Sequence, residues 1–309
     1  MGRLMRSPDC VKHGVQVLNL AAEVMQDALH VSIDQDALEG LKTKLSYPGN
    51  RRPWPTQGDV VLSSDLTLSR ADSIFYEMMA GAVNYCYWFA RCNIRPGGAS
   101  STTMYNLLTQ AWRDAWCPGC STDTQYELVV EAFAASLCAN RFPLASQRVD
   151  HLYELANSPA RIEFIECVMR FGDTTVNEAL AALVRGFAGF ASDPFLKRAQ
   201  LVMIMLHRRY SYFPDIDTVT IPADYQVPRA LRHEGVLVYR SELLDRIIRE
   251  EIIHSGTAAE AEIRAATIIA CDALRSEHTT IVDVDNYLWQ AGRAVDKTVP
   301  FHLTVTTDY

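Results

Sequence analysis

The chain has 309 residues, of which 49% are hydrophobic, and a formal net charge of −8 from 29 basic and 37 acidic residues. This length suits one large domain or two modest ones. The acidic balance argues against a surface for polymeric nucleic acid, which needs a positive field, but permits a single nucleotide in a local pocket. No apolar run approaches a membrane span, and the first residues lack the apolar core of a signal peptide.

Eight cysteines are scattered along the chain, several of them in apolar segments where they resemble small core residues. Without a secretion signal, a reducing cytoplasmic compartment is the simplest expectation. Cys117 and Cys120 have the spacing of a zinc knuckle or of a redox pair. A zinc site needs a second ligand pair and a thioredoxin-like motif needs a strand–helix–strand context, and neither is evident. We therefore expect no metal.

The first third of the chain predicts two helices over residues 9–45, joined by a short connector at 31–35. A Pro-, Gly- and Arg-rich loop follows, and the alternation at 60–68 predicts a short strand. Residues 71–91 are apolar on nearly every face, which predicts a long, central, buried helix.

Four residues of that predicted helix suit a planar ligand: Phe75, Asn84, Tyr85 and Trp88. An aromatic wall with one amide can stack on a nucleobase and contact its edge. The alternative is that these rings are core residues, because large aromatic side chains most often serve packing. The sequence leaves both interpretations open.

The rest of the chain predicts a succession of helices with short connections. Thr175 with Glu178 and Thr257 with Glu260 have the capping-box spacing, and Asp283 is a predicted cap for a last helix. Further helices are predicted at 105–116, 126–140, 146–156, 160–170, 174–186, 241–254, 257–275 and 284–294, and a strand at 302–306. The sum predicts a mainly α protein with a few short strands and no strong linker.

A helix start is predicted at Asp193, with Pro194 at the first helical position. Lys197 and Arg198 then fall in the first turn, at the positive end of the helix dipole, where cations are disfavoured. Two cations there indicate a nearby anion, either a carboxylate of the protein or a bound phosphate.

Asp224 lies between two prolines, ahead of a helix predicted to begin at Pro228 and end near Gly235. Polar groups held on turns between rigid elements are typical of functional sites. The alternative is that Asp224 is only a turn or cap residue and that Lys197 is a solvated helix charge.

Five segments, in this order, resemble the queuosine salvage proteins, which are the queuosine 5′-phosphate N-glycosidases. They are AVNYCYW at 82–88, LKRAQLV at 196–202, ADYQVPRALRHEGVLVY at 223–239, AEIRAATIIA at 261–270 and VDNYLW at 284–289. ALHVSID at 28–34 and QRVDHL at 147–152 also fit, so that the resemblance covers nearly the whole chain.

The resemblance implies a single, mainly helical domain over residues 1–309, related in its core to helical DNA glycosylases. It implies hydrolysis of the N-glycosidic bond of queuosine 5′-monophosphate, which releases queuine for insertion into tRNA. The implied partner is this small nucleotide, without polymeric nucleic acid, membrane, metal or organic cofactor, and the implied location is the cytoplasm.

Cleavage of an N-glycosidic bond builds positive charge on the ribose, and a carboxylate can stabilise that charge or accept a proton from the attacking water. We assign this role to Asp224. Lys197 is expected to keep Asp224 ionised or to contact ribose or phosphate. As an alternative, Lys197 forms a Schiff base with the sugar, as in lyase-type glycosylases.

The remaining predicted substrate-binding residues surround this pair. Phe75, Tyr85 and Trp88 are candidates for stacking, and Asn84 for an edge contact. Arg198 and Arg232 are candidates for the phosphate, with surface salt bridges as the alternative. Tyr225 and Trp289 complete the set, although Trp289 could instead pack the last helix. Glu262 and Arg264 point to different faces of one helix, so one of them is expected to be structural.

One position departs from the family pattern. The third residue before the asparagine of the aromatic motif is acidic in the family, and here it is Gly81. If that acid reads the base edge, its role is vacant here or taken by a neighbour such as Glu77. The departure leaves base specificity, more than reaction type, open. The alternatives to the implied function are a glycosylase of DNA or RNA or another modified nucleotide, or a non-catalytic helical scaffold.

Overall fold

The structure is a computed structural model that describes residues 14–47, 68–88, 99–170 and 172–309. Within these ranges the chain forms fourteen α-helices and one two-stranded sheet, which confirms the predicted mainly α class. The predicted loop and strand between residues 47 and 68 lie almost wholly outside the described residues. No helix in these ranges is long and apolar enough to cross a membrane.

The elements of the first half are α1 (Gly14–Gln26), β1 (Val31–Ile33), α2 (Gln35–Ser46), α3 (Arg70–Ala82), α4 (Ser101–Asp114), α5 (Thr122–Ala139), α6 (Ala145–Asn157) and α7 (Ala160–Met169). Those of the second half are α8 (Val176–Gly186), α9 (Ala188–Ala191), α10 (Lys197–Tyr210), a 3₁₀ turn (Ile216–Thr218), α11 (Gln226–His233), β2 (Leu237–Tyr239), α12 (Ser241–Ile248), α13 (Ala258–Ala273) and α14 (Ile281–Ala294).

Side-chain caps begin seven of the fourteen helices that the structure describes. The predicted capping box of Thr175 and Glu178 is present at α8. At α13, Thr257 accepts from the Glu260 amide as predicted, but the Glu260 carboxylate accepts from Gly256 N instead. The last helix is capped by Thr280 rather than by Asp283, and the Asp283 carboxylate closes a second box from inside the helix. Short polar side chains satisfy free amides that the helix itself leaves unpaired.

The two strands were not predicted. The segment expected to be a connector is β1, and it pairs antiparallel with β2, with Val31 opposite Tyr239. Glu262 on α13 fastens this edge, because its Oε2 accepts from His30 N at 2.5 Å and from Val31 N at 3.0 Å. Glu262 is thus structural. The predicted strand at 302–306 is wrong, since only Leu303 forms an isolated bridge, with Ile252.

Helix α3 is the central buried helix, as predicted, with every residue from 73 to 82 inaccessible to solvent. It packs against α10, and Gly81 lies at the contact, where a Cβ atom would overlap Cγ2 of Val202. A glycine is therefore required for this close approach of the two helices. The predicted continuation of α3 to residue 91 is wrong, because the helix ends at Ala82 and residues 83–88 form an irregular turn with Cys86 at φ +40°.

Helix α10 begins at Lys197 rather than at Asp193, which lies four residues earlier and still caps it from outside. The Asp193 carboxylate accepts hydrogen bonds from Phe195 N and Lys197 N at 2.9 and 2.7 Å. Leu196 between them is in the left-handed region at φ +53°, so the backbone cannot enter the helix before Lys197. The helix predicted over 241–254 is shorter than expected and ends at Ile248.

Candidate active site

A cavity opens between the turn after α3, the start of α4, α10, the turn before α11 and α14. Its empty volume is about 910 Å³ counted to the open mouth. Six aromatic side chains line it: Tyr85, Tyr87, Tyr105, Tyr225, Trp289 and Tyr309. The charged side chains of its wall are Lys197, Asp224, Asp285 and Arg293. An aromatic-lined cavity with a few polar groups has the composition of a small-molecule site.

The structure brings six of the ten predicted site residues to this cavity: Asn84, Tyr85, Lys197, Asp224, Tyr225 and Trp289. They come from four separate parts of the chain, so the fold assembles what the sequence keeps apart.

Phe75 and Trp88 do not reach the cavity. Phe75 is fully buried on α3 and stacks on Tyr126, with ring centroids 4.1 Å apart. Trp88 is buried in a small cluster that includes Cys86 and Leu303. For both rings the structure supports the packing interpretation, since Phe75 stacks on Tyr126 and Trp88 packs within this cluster.

Arg198 and Arg232 are not in the cavity wall either. Arg198 is buried and donates to the carbonyl oxygens of Ala82, at 2.6 Å, and of Gly189. Arg232 donates to the carbonyl oxygen of Pro300 at 2.6 Å. Both guanidinium groups donate to main-chain carbonyl oxygens, so the N–H groups used in these bonds are not available to a phosphate. The predicted phosphate-binding role of these two arginines is therefore not supported.

Three cations hold the turn that follows α3. Arg148 on α6 is fully buried and donates to the carbonyls of Val83, Tyr85 and Cys86. Arg198 donates to Ala82, and Lys197 to Asn84 at 2.8 Å. Five consecutive carbonyls, at residues 82–86, are thus satisfied by side chains rather than by helical amides. This explains why α3 ends at Ala82 and how the turn presents Asn84 and Tyr85 to the cavity.

Asp224 lies on the turn directly before α11, as predicted. Its Oδ1 accepts hydrogen bonds from Gln226 N at 2.7 Å and Val227 N at 3.1 Å. Both bonds end on the same oxygen, so Oδ2 takes part in neither. Burial raises the pKa of the Asp224 carboxyl, while the charge of Lys197 and the two amides oppose this rise.

Lys197 is 3% exposed and lies at the start of α10. Its Nζ donates to the Asn84 carbonyl at 2.8 Å and lies 3.5 Å from the Asn84 side-chain oxygen. Burial lowers the pKa of the Lys197 ammonium to about 8, against the favourable charge of Asp224. The predicted carboxylate neighbour of the first-turn cations is thus present twice, as Asp224 and as the capping Asp193.

A buried ion pair fixes Lys197 and Asp224 relative to each other. Arg264 on α13 donates to both oxygens of Asp193 at 2.8 and 2.7 Å, and its Nε donates to the carbonyl of Ala223 at 3.2 Å. Asp193 caps the helix that begins with Lys197, and Ala223 precedes Asp224. One guanidinium therefore joins the backbone segments of both candidate catalytic residues.

Helix α14 contributes a stripe that the sequence analysis missed. Asp285, Trp289 and Arg293 are spaced by four residues, lie on one helix face and all line the cavity. Gly292 permits this placement, because a Cβ there would overlap the carbonyl oxygen of Gln226 on α11. The sequence shows an acid, an aromatic residue and a base at intervals of four, but only Trp289 was predicted to belong to the site.

The structure also settles where Glu77 lies. Its carboxylate accepts from Tyr105 Oη at 3.1 Å and pairs with Arg209, and it is not part of the cavity wall. Glu77 therefore does not replace the acid missing at Gly81. Because Gly81 faces Val202, the backbone at that position has no room for a side chain.

Cys117 and Cys120 are joined by a disulfide in the connection between α4 and α5, and neither lines the cavity. Among the described residues, no group of three or more His, Cys, Asp or Glu side chains could hold a metal ion.

Fold and cavity together define a mainly helical protein with an aromatic-lined pocket whose wall includes Asp224 and the buried Lys197. The profile of the queuosine salvage proteins matches residues 67–309. The chain therefore belongs to the queuosine salvage protein family.

Proteins similar to this chain include three named queuosine 5′-phosphate N-glycosylase/hydrolase. The one from Sphaerobacter thermophilus is 29% identical over 95% of this chain and 97% of its own length. The one from Dictyostelium discoideum is 26% identical over 91% and 94%, respectively. The one from Mus musculus is 24% identical over 73% and 79%.

Proposed function

We propose that this protein hydrolyses the N-glycosidic bond of queuosine 5′-monophosphate and releases queuine for salvage into tRNA. Membership of the queuosine salvage family and the names of the three relatives support the reaction. The observation on which the proposal rests is the Asp224 carboxylate, held by two amides beside buried Lys197 in an aromatic cavity.

Asp224 acts on the ribose. As the bond to the base lengthens, positive charge develops on the sugar ring, and a carboxylate fixed in advance stabilises it without reorganisation. The same group can accept the proton of the attacking water. The ammonium of Lys197 favours the ionised form of Asp224, and burial strengthens this electrostatic interaction.

The 7-deaza base lacks the N7 atom at which a purine leaving group could be protonated. Its departure therefore depends on stacking and on polar contacts at its edge. Tyr85 and Trp289 provide ring faces in the cavity wall, and Asn84 provides an amide.

The 5′-phosphate is held by Arg293. Of the two cations in the described part of the cavity wall, Lys197 is buried and bonded to Asn84, whereas Arg293 is exposed. The Arg293 guanidinium carbon lies over the Trp289 ring, 4.7 Å from its centroid, and a guanidinium matches the geometry of a phosphate.

The chain acts as one domain over residues 1–309, whose helical core is related to that of helical DNA glycosylases. The alignment with the Sphaerobacter thermophilus relative, over 95% of this chain, supports a single unit. The substrate is the free nucleotide in the cytoplasm rather than a polymer, in keeping with the net charge of −8.

The test is incubation of the purified protein with queuosine 5′-monophosphate and, separately, with the unphosphorylated nucleoside, followed by mass spectrometry of free queuine. Asp224→Asn is the matched variant, with its fold verified by circular dichroism. We expect queuine from the monophosphate, lost in the variant. Release from neither substrate, or cleavage of an oligonucleotide instead, would refute the proposal.

A further inference from the structure

The disulfide between Cys117 and Cys120 lies outside the cavity, in the connection between α4 and α5, and the proposed hydrolysis makes no use of it. Both cysteines are half-buried, and the two residues between them, Pro118 and Gly119, are exposed. Thiol–disulfide exchange requires access of an attacking thiolate to a sulfur atom. A disulfide on an exposed turn meets this requirement, whereas a disulfide inside a core does not.

The length of the closed loop argues against a role as a permanent crosslink. The two cysteines are only three positions apart in the chain. The entropy that a disulfide removes from the unfolded chain grows with the length of the loop, so a loop this short is stabilised least. The cytoplasmic location proposed above also favours a transient bond, because permanent disulfides are rare among cytosolic thiol pools.

Non-covalent contacts hold the same turn. Cys120 N donates to the Cys117 carbonyl at 3.2 Å, and Gly119 has the positive φ, +88°, that closes the turn. The buried Gln125 ties the turn to α5, because its Oε1 accepts from Cys117 N at 2.8 Å and its Nε2 donates to the Ala115 carbonyl at 2.9 Å. None of these contacts uses a sulfur atom. The turn therefore persists when the disulfide opens, and the two thiols stay close enough to form it again.

The N-terminus of α5 favours a thiolate at Cys120. This cysteine directly precedes Ser121, the N-cap of a helix of 18 residues. Helix N-termini and Cys-X-X-Cys motifs are two settings that stabilise a thiolate, and here they coincide. The opposing charge in the first turn is that of Asp123, which is paired with Arg161. Cys120 is therefore the better leaving group of the two sulfurs.

We infer that Cys117 and Cys120 form a thiol–disulfide exchange site for low-molecular-weight thiols of the class of glutathione. A small thiolate attacks the Cys117 sulfur, forms a mixed disulfide with it and releases Cys120 as a thiolate. A second small thiolate attacks the small-thiol sulfur of that mixed disulfide and releases Cys117. Two electrons and two protons thus pass from two small thiols to the cysteines, and the small disulfide leaves. The reverse steps, with the small disulfide as the oxidant, restore the bond.

The experiment equilibrates the native protein in glutathione buffers that range from fully oxidised to fully reduced. Free thiols are then trapped with N-ethylmaleimide after acid quenching and mapped by peptide mass spectrometry. The labelled fractions of Cys117 and Cys120 should rise together, at least about tenfold across the series, because the pair exchanges two electrons as a unit. Circular dichroism should show an unchanged fold. Cys138, an exposed free cysteine of α5, is the internal control and should carry a glutathione in the oxidised buffers.

Cys120→Ser is the informative variant, because it removes the thiolate that resolves the mixed disulfide. In oxidised glutathione, Cys117 of this variant should retain one glutathione, whereas the wild-type pair should retain almost none. The matched control is Cys138→Ser, which removes an exposed thiol of α5 and should leave the response of the pair unchanged.

Three outcomes would overturn the inference. The pair could be labelled only after unfolding in guanidinium chloride, or its reduction could abolish the circular dichroism of the native fold, and either result would make the disulfide a structural crosslink. The third outcome is a Cys120→Ser variant without glutathione at Cys117. None of these measurements depends on the release of queuine, so the exchange site and the proposed hydrolysis are tested separately.

Discussion

Lys197 Nζ donates a 2.8 Å hydrogen bond to the main-chain carbonyl of Asn84, a residue 113 positions earlier in the chain. The ammonium that faces Asp224 therefore also fixes the turn that presents Asn84 and Tyr85 to the cavity. A substitution of Lys197 would therefore change the electrostatic environment of Asp224 and the support of this turn at the same time.

Replacement of Asp224 by asparagine should lower kcat at least about 1000-fold, because the charge facing the ribose is lost. Asparagine retains the Oδ1 acceptor for Gln226 N and Val227 N, so the free energy of unfolding should change little. Asp224→Ala removes that acceptor as well and should destabilise the fold by about 1–2 kcal/mol more. Steady-state kinetics and urea unfolding measure the two effects. An active Asp224→Asn variant would remove Asp224 from the mechanism.

The turnover rate should fall as the pH rises through about 8. Burial lowers the pKa of Lys197 to about 8, so the ammonium is charged below that pH and neutral above it. Loss of this charge raises the pKa of Asp224 and weakens the contact with Asn84. A profile of kcat between about pH 6 and 10 measures this limb. Lys197→Met should be slow at every pH and lack the limb, whereas an unchanged limb would assign it to another group.

Arg264 should be a positioning residue of large effect. Arg264→Met leaves Asp193 as a buried carboxylate without its bidentate partner, and we expect a loss of about 3–5 kcal/mol in the free energy of unfolding. In the double variant with Asp193→Asn, the loss should be smaller than the sum of the single losses, because the unpaired charge is gone. Urea unfolding of all four proteins completes the cycle. Additive losses would contradict coupling between the two residues.

Arg293→Ala should raise KM for queuosine 5′-monophosphate about tenfold, which corresponds to about 1.4 kcal/mol, with kcat nearly unchanged. The kinetics of the unphosphorylated nucleoside should not change, since the lost partner is the phosphate. Arg185→Ala, which removes an exposed arginine of α8 outside the cavity, is the matched control for net charge. An equal effect on both substrates would assign Arg293 to the base or ribose.

Asp285→Asn should stabilise the folded protein at neutral and higher pH. Burial and the charge of Asp224 raise the pKa of Asp285 from 3.8 to about 7, so between these values the folded state holds a proton that the unfolded state has lost. Stability due to this proton declines as the pH rises from about 4 to 7, by at most about 4 kcal/mol. Asparagine removes the decline. Urea unfolding at about pH 4 and pH 8 should show the difference only at the higher pH.

Local signals were sufficient for much of the fold. The capping box at Thr175 and the turn at Asp224 were predicted because the cap and its amides lie within a few residues of each other. The end of α3 at Ala82 was not predicted. The side chains that donate to the carbonyls of the following turn, such as Arg148, come from helices more than sixty residues away. Long-range hydrogen bonds of this kind leave no periodic signal in the sequence.

Site residues were predicted where the motif and the chemistry of the side chain indicated the same role. They were not predicted where a side chain could bind either of two chemically similar partners. A guanidinium suits a phosphate and a main-chain carbonyl alike, so the sequence could not separate Arg198 from Arg293. Asp285 was hidden for another reason, since an acid near the start of a helix is common and is usually a favourable dipole interaction. What distinguishes it is its burial without a hydrogen-bond partner in the part of the chain that the structure describes.

The turn at residues 83–88 is held through its carbonyl oxygens, and every amino acid has one. Exchange of Tyr85 or Tyr87 for phenylalanine therefore leaves the anchors on Arg148 and Lys197 in place. The main-chain conformation of this turn therefore does not depend on which side chains it presents to the cavity. Designed variants can therefore change the side chains of this wall while the main-chain frame persists.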